Sequence, residues 1–372
     1  MNCPTRLRSL AACLTLVTLA STASAEVTRV EIAKRQDIGG SNYEKLTGTV
    51  FYDQGFASDV YVLRPKDPAH GNGSMLFELD GGERTLLRRF NRGGPNTDPD
   101  TSADLGDGFL MKFGFALAWV GSETTLSADQ RFSAVRDLAI WIKRQPNAAL
   151  TARYVYAFGS SESRRLLNER QVFDAVWMHG ADRSPIDVQP DTRVFVTNTP
   201  ADYWTGRAGQ RDETPPANVR AYYFAGAESV PSRVPPSVDY WWAMRALLLA
   251  MHRWVSAGTA PPANAYPRLT DRPSVDEDGN ETAGVLLPDV AVPLATYSAS
   301  PTFFPRTRAV RAATNDPRRS IEERYASRDD YLAKVRDAAE SLVKRGYLLF
   351  DDIDRVVQRA GDTWDALPTS RD

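Results

Sequence analysis

The chain has 372 residues, 42% hydrophobic, 25% charged and 10% aromatic, which excludes a mostly disordered, collagenous or fibrous protein. Its 45 Lys and Arg against 47 Asp and Glu give a formal charge of −2, and no dense basic block could follow a phosphate backbone, so a nucleic-acid partner is not expected. With 24 glycines and 24 prolines, the chain has many turns to place.

The first residues read as an export leader. Arg6 and Arg8 form a basic start, residues 10–20 are apolar, and Ala23-Ser24-Ala25 supplies the small residues of a cleavage site before Glu26. The apolar run is too short to span a bilayer, and no later run is long enough, so no membrane span is expected. Leu10-Ala11-Ala12-Cys13 has the form of a lipoprotein box, but no hydrophobic core precedes it. The expectation is Sec export with cleavage after Ala25, to the periplasm or outside the cell. Cys3 and Cys13 both fall in the leader, which leaves the mature chain without disulfides or thiolate chemistry.

Beyond the leader, residues 27–32, 46–52 and 59–63 read as strands, and 75–79 as a buried strand followed at once by Asp80-Gly81-Gly82. Residues 115–120 form the next apolar run. Phe132, Val135, Leu138, Ala139 and Ile142 then recur at helical spacing, which predicts a helix over 128–144. Strands follow at 154–158, 172–178, 193–198 and 219–224, with helices at 162–170 and 237–256. Strand, helix and strand in succession predict a mostly parallel sheet with helices on both faces. Residues 261–317, rich in Pro, Thr and Asp and without a period, read as a surface wrap. Two helices close the chain, one opened by Ser327 with Asp330 and one capped by Asp351.

The strongest chemical signal is Gly159-Ser160-Ser161-Glu162-Ser163, between a strand and a helix. A nucleophile elbow needs that context, because a sharp strand-to-helix turn lifts one serine hydroxyl above the sheet and aims the next backbone N–H at a bound carbonyl oxygen. Ser161 is the centre of the spacing, although a plain capped turn can carry the same string. Asp80-Gly81-Gly82 follows an earlier strand, where flexible glycines can turn their N–H groups inward as the rest of an oxyanion hole. Asp202, four residues beyond the strand 193–198, stands where a carboxylate orienting a histidine is placed. The loop after the last strand, residues 225–231, contains no histidine. His252 reads as a helix residue and His70 as a loop residue, while His179, at the carboxyl end of the strand 172–178, is the better candidate for a catalytic or substrate-contacting role. There is no His/Cys/Asp cluster at metal-ligand spacing and no dinucleotide or P-loop fingerprint, so no metal or cofactor is expected. The pairs Arg88-Arg89 and Arg164-Arg165 read as solvated or ion-paired; Arg164 and Arg165 adjoin the elbow, so for that pair an anionic substrate group is the alternative.

Several stretches resemble an exported bacterial family named "alpha/beta hydrolase domain" proteins. They are Asn42 to Gly48, Leu63-Arg64-Pro65-Lys66-Asp67-Pro68, Gly108-Phe109-Leu110-Met111, Tyr156-Ala157-Phe158-Gly159, Thr197-Asn198-Thr199 with Tyr203-Trp204, and Ser320 to Tyr325. The resemblance runs in order along nearly the whole mature chain. It implies an α/β-hydrolase fold and places the family's G-x-S-x-S-G-R elbow on residues 159–165, with Ser161 as the nucleophile. Three departures stand out. Arg164 replaces a small residue, the stretch between the elbow and Val172 is shorter than in relatives, and Ser229 occupies the histidine position of the family's G-x-Q-H-G loop.

These readings converge on one α/β-hydrolase domain over 26–372, made of a β region (26–74), a core (75–258) and a C-terminal wrap with helices (259–372). The expected chemistry is hydrolysis of a small-molecule carboxylic ester through an acyl-enzyme on Ser161. Glu162, Gly81 and Gly82 would hold the oxyanion, Asp202 would orient the base, and His179 would be that base. The alternative is an inactive protein of the same fold that binds a small ester or carbonyl ligand.

Overall fold

A computed structural model describes residues 26–79, 84–93, 98–121, 126–145, 150–160, 164, 172–180, 188–205, 214–232, 234–267, 273–298 and 300–368. Among these, β1 (Val27–Asp37), β2 (Tyr43–Tyr52), β3 (Ala57–Pro65), β4 (Ser74–Glu78), β5 (Ala116–Val120), β6 (Tyr154–Gly159), β7 (Ala175–His179), β8 (Arg193–Asn198) and β9 (Val219–Tyr223) form one sheet. Its order is β1-β2-β3-β5-β4-β6-β7-β8-β9. The first three strands join β5 by antiparallel pairings, and every pairing from β5 through β9 is parallel.

The parallel strands are apolar throughout because both faces are covered. Side chains alternate between the faces. Leu76, Tyr156, Phe158, Trp177, Phe195 and Tyr222 point into one core with the helices Thr85–Phe90 and Trp241–Ala257. Phe77, Val155, Ala157, Val176, Val194 and Ala221 point into the other, under the helix Ala128–Arg144. That helix begins where its sequence says, since Ser127 accepts the Gln130 N–H while the Gln130 side chain returns to the Ser127 N–H. This is the expected α/β-hydrolase architecture, with an antiparallel extension at its N-terminal edge.

Two expectations need correction. Residues 261–317 are not merely a surface wrap, for Val285, Leu287, Val290, Leu294 and Tyr297 are buried. Val285 trades backbone hydrogen bonds with Tyr223 and Ala225, so the segment seals the far end of the sheet. Asp351 does not cap the last helix. A short 3-10 turn, Phe350–Asp352, intervenes before the helix Ile353–Asp365, and Asp351 binds Lys112 instead (2.6 Å). Ser327 does cap the helix Arg328–Arg345. No helix among the described residues is long and apolar enough to cross a membrane.

Candidate active site

β4 and β6 are neighbours, yet the chain leaves β4 for β5 on one side and β6 for β7 on the other. Loops leaving the carboxyl ends of such a pair diverge and open a crevice, which is where open α/β sheets take their ligands. The loop after β4 carries Gly81 and Gly82, and the loop after β6 carries Ser161 and Glu162. These four residues, and most of the expected helix 162–170, lie outside the described residues. Their approaches are described and are level with each other: Glu78 pairs with Phe158, and the Leu79 N–H donates to the Phe158 carbonyl at 2.9 Å.

Glu78 bridges the first loop. Its buried carboxylate accepts the N–H of Thr85 (2.9 Å) and Leu86 (3.3 Å), the Trp119 indole N–H (2.5 Å) and the Thr85 hydroxyl. The end of β4 is thus tied to the start of the helix Thr85–Phe90. Burial pushes the Glu78 carboxyl above its ordinary pKa, while the donors favour the anion.

His179 ends β7, at the same carboxyl end of the sheet. Its ring is stacked near Phe158 (6.3 Å between centroids) and lies against Tyr240 (5.3 Å) and the edge of Trp241 (5.8 Å). Nε2 meets the Tyr240 hydroxyl at 3.0 Å, and Nδ1 meets the Thr197 hydroxyl at 3.0 Å. The tautomer follows from the partners. Tyr240 gives its own proton to the Ser229 carbonyl (2.8 Å), so it must accept from Nε2–H, which leaves Nδ1 to accept from Thr197. Thr197 in turn accepts the Trp177 indole N–H at 2.9 Å. Burial lowers the His179 pKa to about 4, outweighing the opposing charge of Asp202. The imidazole is therefore neutral at pH 7, and in this arrangement its one lone pair is engaged by Thr197.

Asp202 lies just beyond β8, in the turn Ala201–Thr205. Its Oδ2 accepts the Thr199 hydroxyl (2.7 Å) and N–H (3.2 Å). Its other oxygen faces Gly180, which has φ +71°; a methyl built there would stand 3.4 Å from Oδ1. Asp202 and His179 are thus brought to one end of the sheet. Ser229 is exposed in the loop after β9. That loop is fastened from the wrap, since the buried Glu281 accepts the Gly226 N–H (2.7 Å) and the Tyr223 hydroxyl (2.6 Å).

The remaining histidines are elsewhere. His252 binds the Tyr156 hydroxyl through Nδ1 (2.8 Å), and His70 is exposed beside Asp67 (3.4 Å). Among the described residues, no group of three or more His, Cys, Asp and Glu could hold a metal ion. Sequence reasoning missed Thr197, Tyr240 and Glu78. The Tyr240-Trp241-Trp242 triplet was the available signal, an aromatic run at a helix start that reads equally well as core.

No curated protein matches the chain. Solved structures similar to it include a bacterial brefeldin A esterase described as a homologue of human hormone-sensitive lipase (13% identity, 52% of this chain and 71% of that one, TM-score 0.31). A glucuronoyl esterase from Solibacter usitatus is 10% identical over 62% of this chain and 90% of that one, with a TM-score of 0.36. A fungal esterase from Rhizomucor miehei is 8% identical over 62% and 86%, with a TM-score of 0.38. Likenesses this remote bear on neither substrate nor site. A family model described as "Alpha/beta hydrolase domain" matches residues 235–358, a stretch that contains none of Ser161, His179 and Asp202. By its sheet, its layers and that match, the chain is a protein of the α/β-hydrolase fold.

Proposed function

We propose that this protein hydrolyses carboxylic esters through an acyl-enzyme on Ser161. The switch point supports it, because β4 and β6, the strands that lead in sequence to Gly81-Gly82 and to Ser161, pair side by side there. Ser161 Oγ adds to the ester carbonyl carbon, and the N–H groups of Glu162, Gly81 and Gly82 receive the oxyanion. The alcohol leaves with a proton, and water then frees the acid. Tyr240 holds the imidazole that moves the protons, and the charge of Asp202, expected from sequence to orient that ring, favours its protonated form. His179 serves as that base by exchanging Thr197 for the serine at Nδ1. The leader carries the protein to the periplasm or beyond, and no cofactor enters the scheme.

The occupied ring nitrogens of His179 favour a second reading. In it the ring stays as found, and the protein binds an ester or carbonyl ligand without turning it over. Fluorophosphonate labelling and p-nitrophenyl acetate hydrolysis separate the two. The first reading expects labelling and turnover, with Ser161→Ala slower by about a thousandfold and His179→Ala comparably slow. Wild type as slow as His179→Ala, with Ser229→His alone raising the rate, establishes the second.

A further inference from the structure

The amino ends of the parallel strands lie opposite the end that carries His179 and Asp202, and they gather arginines. Arg193 opens β8, and Arg220 is the second residue of β9. Both guanidiniums stand over one indole, that of Trp254 near the end of the helix Trp241–Ala257, at 5.1 and 4.9 Å. Arg253, the residue before Trp254, is exposed. Arg153, just ahead of β6, is exposed too, with its guanidinium over the Tyr154 ring at 5.2 Å. Tyr154 meets the His252 ring edge-on at 6.2 Å, so Arg153 borders the same helix end.

Elsewhere arginines are matched to acids, as Arg64 is to Glu44, Arg92 to Asp239 and Arg318 to Asp316. Arg153, Arg193, Arg220 and Arg253 have no carboxylate partner among the described residues. Of the acids at this end, Asp174 is taken by Lys143 (3.0 Å) and the Val155 N–H (2.8 Å), and Asp191 is exposed and makes no ion pair. Arg193 donates to the Pro190 carbonyl (3.4 Å), and Arg220 to those of Ala217 (3.0 Å) and Val219 (2.9 Å). These bonds fix the side chains without cancelling their charge. The carboxyl end of the helix offsets about half a charge, so cations remain in clear excess. Trp254, 7% exposed, fills the space beside Arg193 and Arg220, so the charge does not converge on a pocket. Cations spread over one end of a molecule match an array of anions better than a single ion.

We infer that the amino end of the sheet is a docking face for a membrane of anionic phospholipids, held through Arg153, Arg193, Arg220 and Arg253. The inference makes no use of the hydrolase reading. The export leader favours lipid over nucleic acid, because an exported chain meets anionic headgroups. No helix among the described residues is fit to cross the bilayer, so the contact is peripheral and electrostatic. It turns the carboxyl end of the sheet, with His179 and Asp202, toward the solvent.

Cosedimentation of the mature chain, from Glu26 onward, with lipid vesicles tests this. Vesicles of mixed phosphatidylglycerol and phosphatidylcholine should carry the protein down, phosphatidylcholine alone should not, and raised salt should release it. Arg153→Gln and Arg253→Gln should each weaken binding about fivefold, and the two together by more than about tenfold. Both side chains are exposed, so the variants should keep the circular dichroism of wild type. Arg153→Lys with Arg253→Lys should keep most of the binding. Arg29→Gln with Arg336→Gln removes the same charge from exposed ion pairs elsewhere and should change binding little. Equal losses in the two Gln pairs would mean that net charge alone is read, and would overturn the assignment. Equal binding to both kinds of vesicle, or to neither, overturns it as well. So does retention of a single-stranded oligonucleotide in place of the anionic vesicles, which gives the face to a polyanionic chain.

Discussion

The Thr197 hydroxyl accepts a hydrogen bond from the Trp177 indole N–H and donates one to His179 Nδ1, and the Tyr240 hydroxyl accepts from Nε2–H and donates to the Ser229 carbonyl. Protonating His179 would put a charge in a buried site among Phe158, Tyr240 and Trp241 and within the field of the Arg89 cation, which is why its pKa falls to about 4. The consequence for stability has a definite sign. An unfolded histidine titrates near pH 6.5, so between there and about 4 the unfolded chain binds a proton that the folded chain refuses. Stability should therefore fall as pH is lowered through that window and level off below it. His252 is shifted the same way by burial, whereas Asp352, raised to about 6 by burial, acts in the opposite sense. Comparing wild type with His179→Gln isolates the one residue. Urea denaturation at pH 7 and 4.5 should show wild type losing about 2 kcal/mol more than the variant. Parallel pH dependences would mean that the imidazole is not held neutral.

β4 and the helix Thr85–Phe90 are joined through Glu78. Glu78→Gln keeps the shape but replaces a carboxylate oxygen by an NH2 among four donors. The expected loss is about 1–3 kcal/mol, read as a lower urea midpoint. The wrap depends on a glycine in a comparable way. Gly284 has φ +90°, and a methyl there would stand 2.5 Å from the Tyr223 carbonyl oxygen. Gly284→Ala should cost about 2 kcal/mol or more and loosen the segment from β9, seen as faster amide exchange at Val285. An unchanged melting temperature would show that the segment is not seated by this contact. How far each element could be read from sequence follows from what buries it. The helix Ala128–Arg144 and the strand Arg193–Asn198 stand where they were expected, because each carries its own period or a continuous apolar run. Val285, Leu287, Val290 and Leu294 have no such period, since backbone pairing to β9 and the terminal helices bury them rather than a face of their own. The site was legible to the same degree. Asp202 and His179 could be placed at strand ends from local text, but the Thr197 and Tyr240 contacts depend on the β7–β8 register and a distant helix.

At the scale of the whole molecule, the terminal helices are joined to the sheet core through buried charge. Arg245, on the helix that covers one face of the sheet, meets Asp107 at 2.8 Å and Asp352 at 3.3 Å, and its guanidinium lies over Phe109 at 4.3 Å. Asp352 leads into the last helix, so one side chain ties the core, the loop before Phe109 and the C-terminal pair of helices together. A second tie runs from Arg92 to Asp239, with Arg359 of the last helix 4.0 Å from the same carboxylate. Ties of this kind add little net stability compared with apolar residues of the same volume, but removing one partner strands the others. Arg245→Met should leave the buried Asp352 without its ion-pair partner, while Asp107 keeps Arg355, and cost about 3 kcal/mol. Adding Asp352→Leu to Arg245→Met should recover part of that loss by removing a stranded charge. If the ties make core and terminal helices one cooperative unit, far-UV circular dichroism and tryptophan fluorescence should report a single coincident transition in wild type, and in Arg245→Met the same transition at lower urea. Two separated transitions in wild type would instead mean that the terminal helices melt on their own, and that Arg245 stabilises only their docking.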